Sequence, residues 1–268
     1  MHTRRKRFID DLSISPARAV LGFADVAQDY QRLCELVADR ITALVQSKPD
    51  AVLGLATGST PLGVYDLLAQ RHQSAGLDFS RVTCFNLDEY YPMPAESPQS
   101  YHQFMWKNLF HRINCCCWAV PDGCPRSEEE IAHDCRDYEA QIVEAGGIDL
   151  QLLGIGRSGH IGFNEPGSPP ASRTRLVTLH PITRQDAADS FGGLGNVPHQ
   201  AVSMGIGTIL EAREIVMMAR GTAKAGVVQA SWTQKVSRHV PASWIRTHQN
   251  ARLYLDKNAA SFSLDECL

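Results

Sequence analysis

The residues best suited to chemistry lie in a glycine-rich segment that follows a short apolar run. The run, residues 150–153, predicts a buried strand. His160 and Glu165 lie five residues apart in the segment that follows, among Gly154, Gly156, Gly159 and Gly162. An imidazole and a carboxylate on a loop at the carboxyl end of a strand are typical of an acid–base site in an α/β enzyme. A plain loop with a solvated His160 is the alternative.

The first three glycines of this segment also match the spacing of a dinucleotide-binding fingerprint. That fingerprint requires a helix that begins at the third glycine. Gly162, Pro166 and Pro169 interrupt the segment and are incompatible with a long helix there. We therefore do not expect a nicotinamide or flavin dinucleotide here.

A second group of polar residues follows another apolar run, residues 51–56. Thr57, Gly58, Ser59 and Thr60 come directly after it, and Pro61 opens a helix with Thr60 as the expected N-cap. Free N–H groups at the start of a helix, with hydroxyl donors beside them, favour an anion such as phosphate. A capped helix without a ligand is the alternative.

Two further charged residues are expected at the same edge of the sheet. Asp88 follows the apolar run 81–87, so it is expected where a strand ends, although aspartate is also common as a turn residue. Lys224 lies in the first turn of a predicted helix, where a cation is unfavourable for the helix dipole unless it has an anionic partner. Together these groups suit proton transfer on a phosphorylated small molecule.

The elements that must position these residues alternate between strands and helices along the chain. Apolar runs and periodic patterns predict strands at 19–22, 51–56, 81–87, 150–153, 200–206, 215–219 and 251–255, with a short strand inside 171–179 that includes Arg173 and Arg175. They predict helices at 23–48, from 62, 100–112, 127–145, 224–232 and 241–247. Residues 113–126 are expected to be irregular. The alternation predicts an α/β fold of the Rossmann-like three-layer αβα type, with a mostly parallel sheet of about six or seven strands.

Composition limits the classes of protein to which the chain can belong. It has 268 residues, 44% hydrophobic and 21% charged, with a formal net charge of −3. We expect residues 1–18 to be a flexible extension and residues 19–268 to form one catalytic domain. There is no basic surplus for nucleic acid and no apolar run long enough to cross a membrane, so we expect neither partner.

The eight cysteines do not form a Cys-x-x-Cys pair, so we expect no metal site. Three of them are adjacent, at Cys115, Cys116 and Cys117, which is a poor disulfide framework. Reduced thiols and the lack of a secretory signal indicate a cytoplasmic protein.

Several motifs in order along residues 30–256 resemble the glucosamine-6-phosphate deaminase/isomerase family. The matching segments are Leu-Ala-Thr-Gly-Ser-Thr-Pro at 55–61, Phe-Asn-Leu-Asp-Glu-Tyr at 85–90, Gly-His-Ile-Gly-Phe-Asn-Glu-Pro at 159–166, Ser-Arg-Thr-Arg at 172–175 and Gly-x-x-Lys at 221–224. The resemblance implies conversion of glucosamine 6-phosphate and water to fructose 6-phosphate and ammonia, without a metal or an organic cofactor. Homo-oligomers are frequent in the family, so the resemblance also allows a homo-oligomer.

The resemblance implies a role for each group of residues identified above. Asp88 would move a proton between C2 and C1 of the sugar, while His160, tuned by Glu165, would assist opening of the pyranose ring. Gly58, Ser59, Thr60 and Lys224 would hold the phosphate, with Thr57 beside them.

Three positions depart from the family pattern. Ser158 stands where the family has an aspartate two residues before the histidine, and we count it with the catalytic group. Asp189 stands where an arginine that contacts phosphate is expected, so Arg184 or Arg157 is a candidate substitute. An allosteric site known in some members is matched only in part, with Val177 in the place of a lysine.

Three other functions remain open at this stage. A galactosamine-6-phosphate deaminase would differ in the configuration of one hydroxyl. A hydrolase like 6-phosphogluconolactonase would share the fold but would not need Asp88 to shuttle protons between carbons. A sugar-phosphate sensor would bind without turnover, and release of ammonia distinguishes it from the deaminases.

Overall fold

A seven-stranded parallel sheet is the centre of the computed structural model, which describes residues 24–264. Its strands are β1 (Ala24–Ala27), β2 (Val52–Leu55), β3 (Thr83–Asn86), β5 (Cys117–Ala119), β6 (Leu150–Leu153), β9 (Glu214–Ala219) and β10 (Ala251–Asp256). They lie in the order β1-β10-β9-β6-β2-β3-β5, and every neighbouring pair is parallel. The predicted extension at 1–18 and the predicted strand at 19–22 lie outside the described residues.

Helices cover both faces of this sheet, as predicted. They are α1 (Tyr30–Ser47), α2 (Leu62–Ala75), α3 (Tyr101–Asn108), α4 (Glu128–Glu144), α5 (Pro181–Ala187), α6 (Ile206–Leu210), α7 (Ala225–Thr233) and α8 (Ser261–Leu264). Side chains of α1, α2 and α3 share one apolar core with Leu53 and Leu55, whereas α4, α6 and α7 share another with Val52. Successive residues of β2 thus face opposite helix layers, which gives the three-layer αβα architecture.

A second, smaller sheet contains β4 (Asp88–Tyr91), β7 (Arg175–Thr178) and β8 (Gln200–Ser203). These strands are antiparallel and lie in the order β4-β8-β7. Only Leu87 separates β3 of the large sheet from β4 of the small one. The chain therefore passes from one sheet to the other at the edge where the parallel strands end.

The prediction of one helix over 23–48 was wrong at its start. Ala24–Ala27 forms β1 and pairs with β10. Helix α1 begins at Tyr30, with Asp29 as the N-cap, and the Asp29 side chain accepts a hydrogen bond from the amide of Arg32. The apolar spacing of the segment is compatible with both assignments, and the long-range pairing with β10 decides between them.

The prediction that 113–126 is irregular missed the short edge strand β5, which pairs with β3. By contrast, β6 has the predicted bounds, and α4 begins with the predicted capping box. In that box the Ser127 hydroxyl accepts from the Glu130 amide while the Glu130 carboxylate accepts from the Ser127 amide.

No helix within residues 24–264 is both long and apolar enough to cross a membrane. The seven cysteines that lie in this range are free thiols.

Candidate active site

A cleft of about 880 Å³ lies at the carboxyl edge of the parallel sheet. The loops that follow β2, β3, β6 and β9 all line it, and so does α5. Residues far apart in the sequence therefore meet in one cavity. Among the residues that line it are Gly58, Asp88, Gly156, His160, Thr183 and Lys224.

The turn between β2 and α2 presents backbone amides to this cleft. Gly58 has a φ of 91°, a left-handed conformation that favours glycine. Within the described chain, no protein acceptor is found for the N–H groups of Gly58, Ser59 and Thr60. The Tyr30 hydroxyl lies 3.0 Å from the Thr60 carbonyl and accepts from the amide of Gly63. The amides of the turn are thus free to bind an anion at the start of α2.

The prediction that Thr60 caps α2 was wrong. Pro61 occupies the N-cap with φ −83° and ψ −5°, and its carbonyl accepts from the amides of Val64 and Tyr65. No side chain caps this helix. The hydroxyl of Thr60 is consequently not used by α2.

Asp88 follows the end of β3, as expected, and it is also the first residue of β4, so the alternative role of a turn residue does not apply. It pairs with Ser203 of β8 and is only 4% exposed. Its carboxylate faces Gly162, where an added Cβ would lie 3.3 Å from Oδ2. Burial, and then the charge of Glu89, raises the pKa of Asp88 well above its usual range.

Glu89 does not line the cleft, because alternate residues of a strand face opposite sides. Its carboxylate accepts from the amides of Tyr101 and His102, both at 2.9 Å, and so holds the start of α3. Burial raises the pKa of Glu89 to about 7, although these hydrogen bonds oppose that effect.

His160 lies on a tight loop that follows β6. The amide of Gly156 donates to the carbonyl of His160 at 3.0 Å, and the amide of Gly159 donates to the carbonyl of Gly156 at 3.0 Å. The imidazole covers the α-carbon of Gly156, where an added Cβ would lie 2.1 Å from Nε2. Glycine at position 156 is therefore required for this placement of the ring.

Three polar groups surround Nδ1 of His160. They are the Ser158 hydroxyl at 2.9 Å, the Thr183 hydroxyl at 3.1 Å and Oε2 of Glu165 at 3.2 Å. Burial alone would raise the pKa of Glu165, but hydrogen bonds and the charge of His160 outweigh it and hold this pKa below its usual value. An ionised Glu165 is therefore available to support a proton on the imidazole.

Lys224 approaches the cleft from the loop after β9. It is the residue immediately before α7, not in the first turn of that helix as predicted. Burial lowers its pKa, and the charge of nearby Asp186 opposes that effect. Among the described residues, no ion pair of Lys224 is found, which leaves its ammonium available to an anion in the cleft.

The two arginines considered as substitutes for a missing phosphate ligand are engaged elsewhere. Arg184 donates to the carbonyls of Leu194, Val197 and Pro198, so it holds a loop and does not line the cleft. Arg157 is exposed and forms a bidentate ion pair with Asp186 of α5. Neither side chain itself lines the cleft, although Asp186, the partner of Arg157, does.

Two residues of the site were missed by the reasoning from sequence. Gly156 was noted only as part of a fingerprint, although the spacing of the glycines was a usable signal for a ring packed on the backbone. Thr183 gave no local signal, because a threonine in a short polar segment is unremarkable until α5 brings it to His160.

Comparisons with known proteins agree with this architecture. The sequence pattern of a family described as glucosamine-6-phosphate isomerases/6-phosphogluconolactonase matches residues 24–254. A glucosamine-6-phosphate deaminase of Halothermothrix orenii is 44% identical over 238 residues, 88% of this chain and 98% of the relative. One of Arthrobacter sp. is 48% identical over 228 residues, 84% and 86% of the two chains.

Solved structures give the same result at the level of the fold. A monomeric glucosamine-6-phosphate deaminase superposes with a TM-score of 0.86 at 39% identity, covering 89% of this chain and 99% of that one. A 6-phosphogluconolactonase from Trypanosoma cruzi superposes with a TM-score of 0.74 at 19% identity, covering 89% and 96%. The second similarity concerns the fold alone.

Proposed function

Because the chain belongs to the glucosamine-6-phosphate isomerase/6-phosphogluconolactonase family, we propose that it is a glucosamine-6-phosphate deaminase. It converts glucosamine 6-phosphate and water to fructose 6-phosphate and ammonia. The observation that carries this proposal is the buried carboxylate of Asp88, which shares one cleft with the imidazole of His160. Two separate proton-transfer groups suit a reaction that first opens a ring and then moves a proton between carbons.

The phosphate of the substrate lies, in this proposal, at the turn before α2. The amides of Gly58, Ser59 and Thr60, the hydroxyls of Ser59 and Thr60, and the ammonium of Lys224 are its donors, with Thr57 beside them. Several hydrogen bonds to a charged group, each worth about 1.5–3 kcal/mol, fix the sugar firmly. The remote phosphate thereby supplies binding energy that orients the reacting carbons.

His160 opens the pyranose ring in the first step. Its imidazole takes the proton of the hydroxyl on C1 and returns a proton to the ring oxygen, so that the C1 aldehyde forms as the C1–O5 bond breaks. Glu165 supports the positive charge on the ring, and Ser158 contacts both groups.

Asp88 then carries out the isomerisation. It removes the proton from C2 while the ammonium group of the sugar gives a proton to O1, which yields an enolamine, and it then returns its proton to C1 to leave a protonated imine at C2. Water attacks the resulting imine at C2, which releases ammonia and leaves fructose 6-phosphate. A raised pKa makes the carboxylate of Asp88 a stronger base than a solvated one, which favours removal of the proton from C2.

The same proposal covers the setting of the reaction. The enzyme acts in the cytoplasm, takes a sugar phosphate as its partner and uses neither a metal ion nor an organic cofactor. A homo-oligomer stays a prediction, which sedimentation analysis tests directly.

Product analysis tests the function. Purified protein is given glucosamine 6-phosphate, galactosamine 6-phosphate or 6-phosphogluconolactone in buffer that contains a chelator. We expect ammonia and fructose 6-phosphate in equal amounts from the first sugar. Hydrolysis of the lactone without ammonia release from either amino sugar, or tight binding of both sugars without turnover, would contradict the proposal.

A further inference from the structure

Thr183 contacts the catalytic loop from a separate element of the fold. It lies on α5, is 5% exposed, and places its hydroxyl 3.1 Å from Nδ1 of His160. A hydrogen bond from this hydroxyl also helps to hold the pKa of Glu165 below its usual value. An ion pair between Asp186 and Arg157 also joins α5 to this loop. Two contacts, this ion pair and the one between Thr183 and His160, therefore hold α5 against the loop.

The hydrogens around Nδ1 can be assigned from what each group is able to donate. An ionised carboxylate only accepts, so the Ser158 hydroxyl must donate in its 3.1 Å contact with Oε2 of Glu165. With the Ser158 proton directed to Glu165, its oxygen remains an acceptor 2.9 Å from Nδ1, and the Thr183 oxygen at 3.1 Å can accept there as well. A proton on Nδ1 satisfies these acceptors, whereas a bare lone pair there would face a carboxylate 3.2 Å away.

We propose that the hydroxyls of Ser158 and Thr183, acting with Glu165, hold neutral His160 as the Nδ1–H tautomer with its Nε2 lone pair free at the edge that crosses Gly156. This inference rests on the proposed function for its kinetic consequence. Thr183 is accordingly a positioning residue: it acts on the substrate only through His160.

The tautomer decides the order in which His160 handles protons. An unprotonated Nε2 begins as a base, takes the proton of the C1 hydroxyl and becomes an imidazolium. The same nitrogen then gives that proton to the ring oxygen as the C1–O5 bond breaks, so the ring ends in its starting state. The other tautomer presents an N–H to the C1 hydroxyl and cannot accept its proton.

The first test reads the tautomer without any turnover. The two nitrogens of a neutral imidazole have distinct ¹⁵N shifts, and histidine-labelled protein gives both at a pH where imidazoles are neutral. The His160 signals are identified by their loss in His160→Gln. We expect the proton on Nδ1 in the wild type. A proton on Nε2 overturns the proposal, whether or not the protein releases ammonia.

The second test removes one hydroxyl at a time. Thr183→Val keeps the shape of the side chain, and we expect kcat for glucosamine 6-phosphate to fall about tenfold with KM changed less than twofold, since the loss affects a transition-state group. Thr183→Ser restores the hydroxyl and should recover kcat to within about threefold. Adding Ser158→Ala to Thr183→Val should lower kcat about 100-fold in all.

Thr208 offers a matched control. Its hydroxyl is also buried and also donates to a glutamate, Glu139, at 2.6 Å, but it lies outside the cleft. Thr208→Val should therefore match Thr183→Val in lost stability and keep the wild-type kcat. Equal losses of kcat in the two variants, or no recovery of kcat in Thr183→Ser, would show that Thr183 contributes only to stability and does not position His160. Absence of ammonia release by the wild type would instead contradict the proposed function and leave the ¹⁵N result standing.

Discussion

Replacement of Asp88 by asparagine separates the chemistry of this residue from its effect on stability. The two side chains have nearly the same shape, so the packing against Gly162 is kept. The amide cannot accept a proton from carbon. The turn before α2 and Lys224 belong to other elements and are not altered, so binding of the sugar phosphate should change by less than about threefold, as expected for distant and independent sites.

The expected loss of turnover follows from the role of a general base. Such a group contributes about 10²–10⁴-fold to a rate, and Asp88 supplies the carboxylate that faces Gly162 in the cleft. We therefore expect kcat to fall at least about 100-fold in Asp88→Asn.

Stability should change in the opposite direction. The pKa of Asp88 is raised by burial in the folded state, so ionisation of this carboxyl destabilises the fold. That penalty is absent below the unfolded pKa of about 4, grows as the pH rises towards the folded pKa, and is constant above it. Asparagine does not ionise, so the variant should gain stability over the wild type as the pH rises from 4 to 8.

The assay combines kinetics with thermal unfolding at two pH values. Ammonia release gives kcat, calorimetry with fructose 6-phosphate gives the affinity, and each kcal/mol raises Tm by about 2–4 °C for a chain of this size. A variant that keeps most of its rate would show that Asp88 is not the base. A Tm difference that is the same at pH 4 and pH 8 would show that its burial does not act through ionisation.

Four further changes test other parts of the site. Lys224→Met removes a phosphate donor, and we expect KM for glucosamine 6-phosphate to rise about tenfold with a smaller change in kcat; an unchanged KM would place the phosphate elsewhere. Gly156→Ala puts a methyl group where the His160 ring lies, and steady-state kinetics should show at least a tenfold loss of kcat with a cooperative unfolding transition retained. Ser158→Asp brings a second carboxylate against Glu165, so Tm should fall at pH 8 more than at pH 5, and a tenfold gain in kcat would contradict this view of the serine. The pKa of Glu165 is lowered, so its carboxylate stabilises a protonated His160 above the usual carboxyl range, and this effect is lost as the pH falls through the lowered pKa. We therefore expect kcat to fall on the acid side of its pH profile, and Glu165→Gln should remove that fall.

Much of the fold could be predicted from local patterns. The buried run 150–153 and the capping box at Ser127 are local signals, and the structure has both. The start of α1 and the edge strand β5 could not be predicted in this way, because each depends on pairing with a distant strand. The three-stranded sheet was missed for the same reason: its strands come from separate parts of the chain.

That residues at strand ends meet in one cleft could be predicted from the sequence. The cleft brings together Gly58, Asp88, His160 and Lys224, each of which follows a strand of the large sheet. Contacts between elements were not predictable. Arg184 has the charge of a phosphate ligand, but its guanidinium donates hydrogen bonds to three backbone carbonyls. The contact of Thr183 with His160 depends on where α5 packs.

The junction at Leu87 makes strand register a determinant of chemistry. β4 is held against β8 by the pairing of Asp88 with Ser203, and alternate residues of β4 face opposite sides. A slip by one residue would turn Asp88 out of the cleft and bring Glu89 into it. Glu89 would at the same moment leave the amides of α3 that it holds. The contacts of Glu89 with α3 therefore stabilise the observed register, because a shifted strand would lose them. In that register the carboxylate in the cleft is that of Asp88 and not that of Glu89.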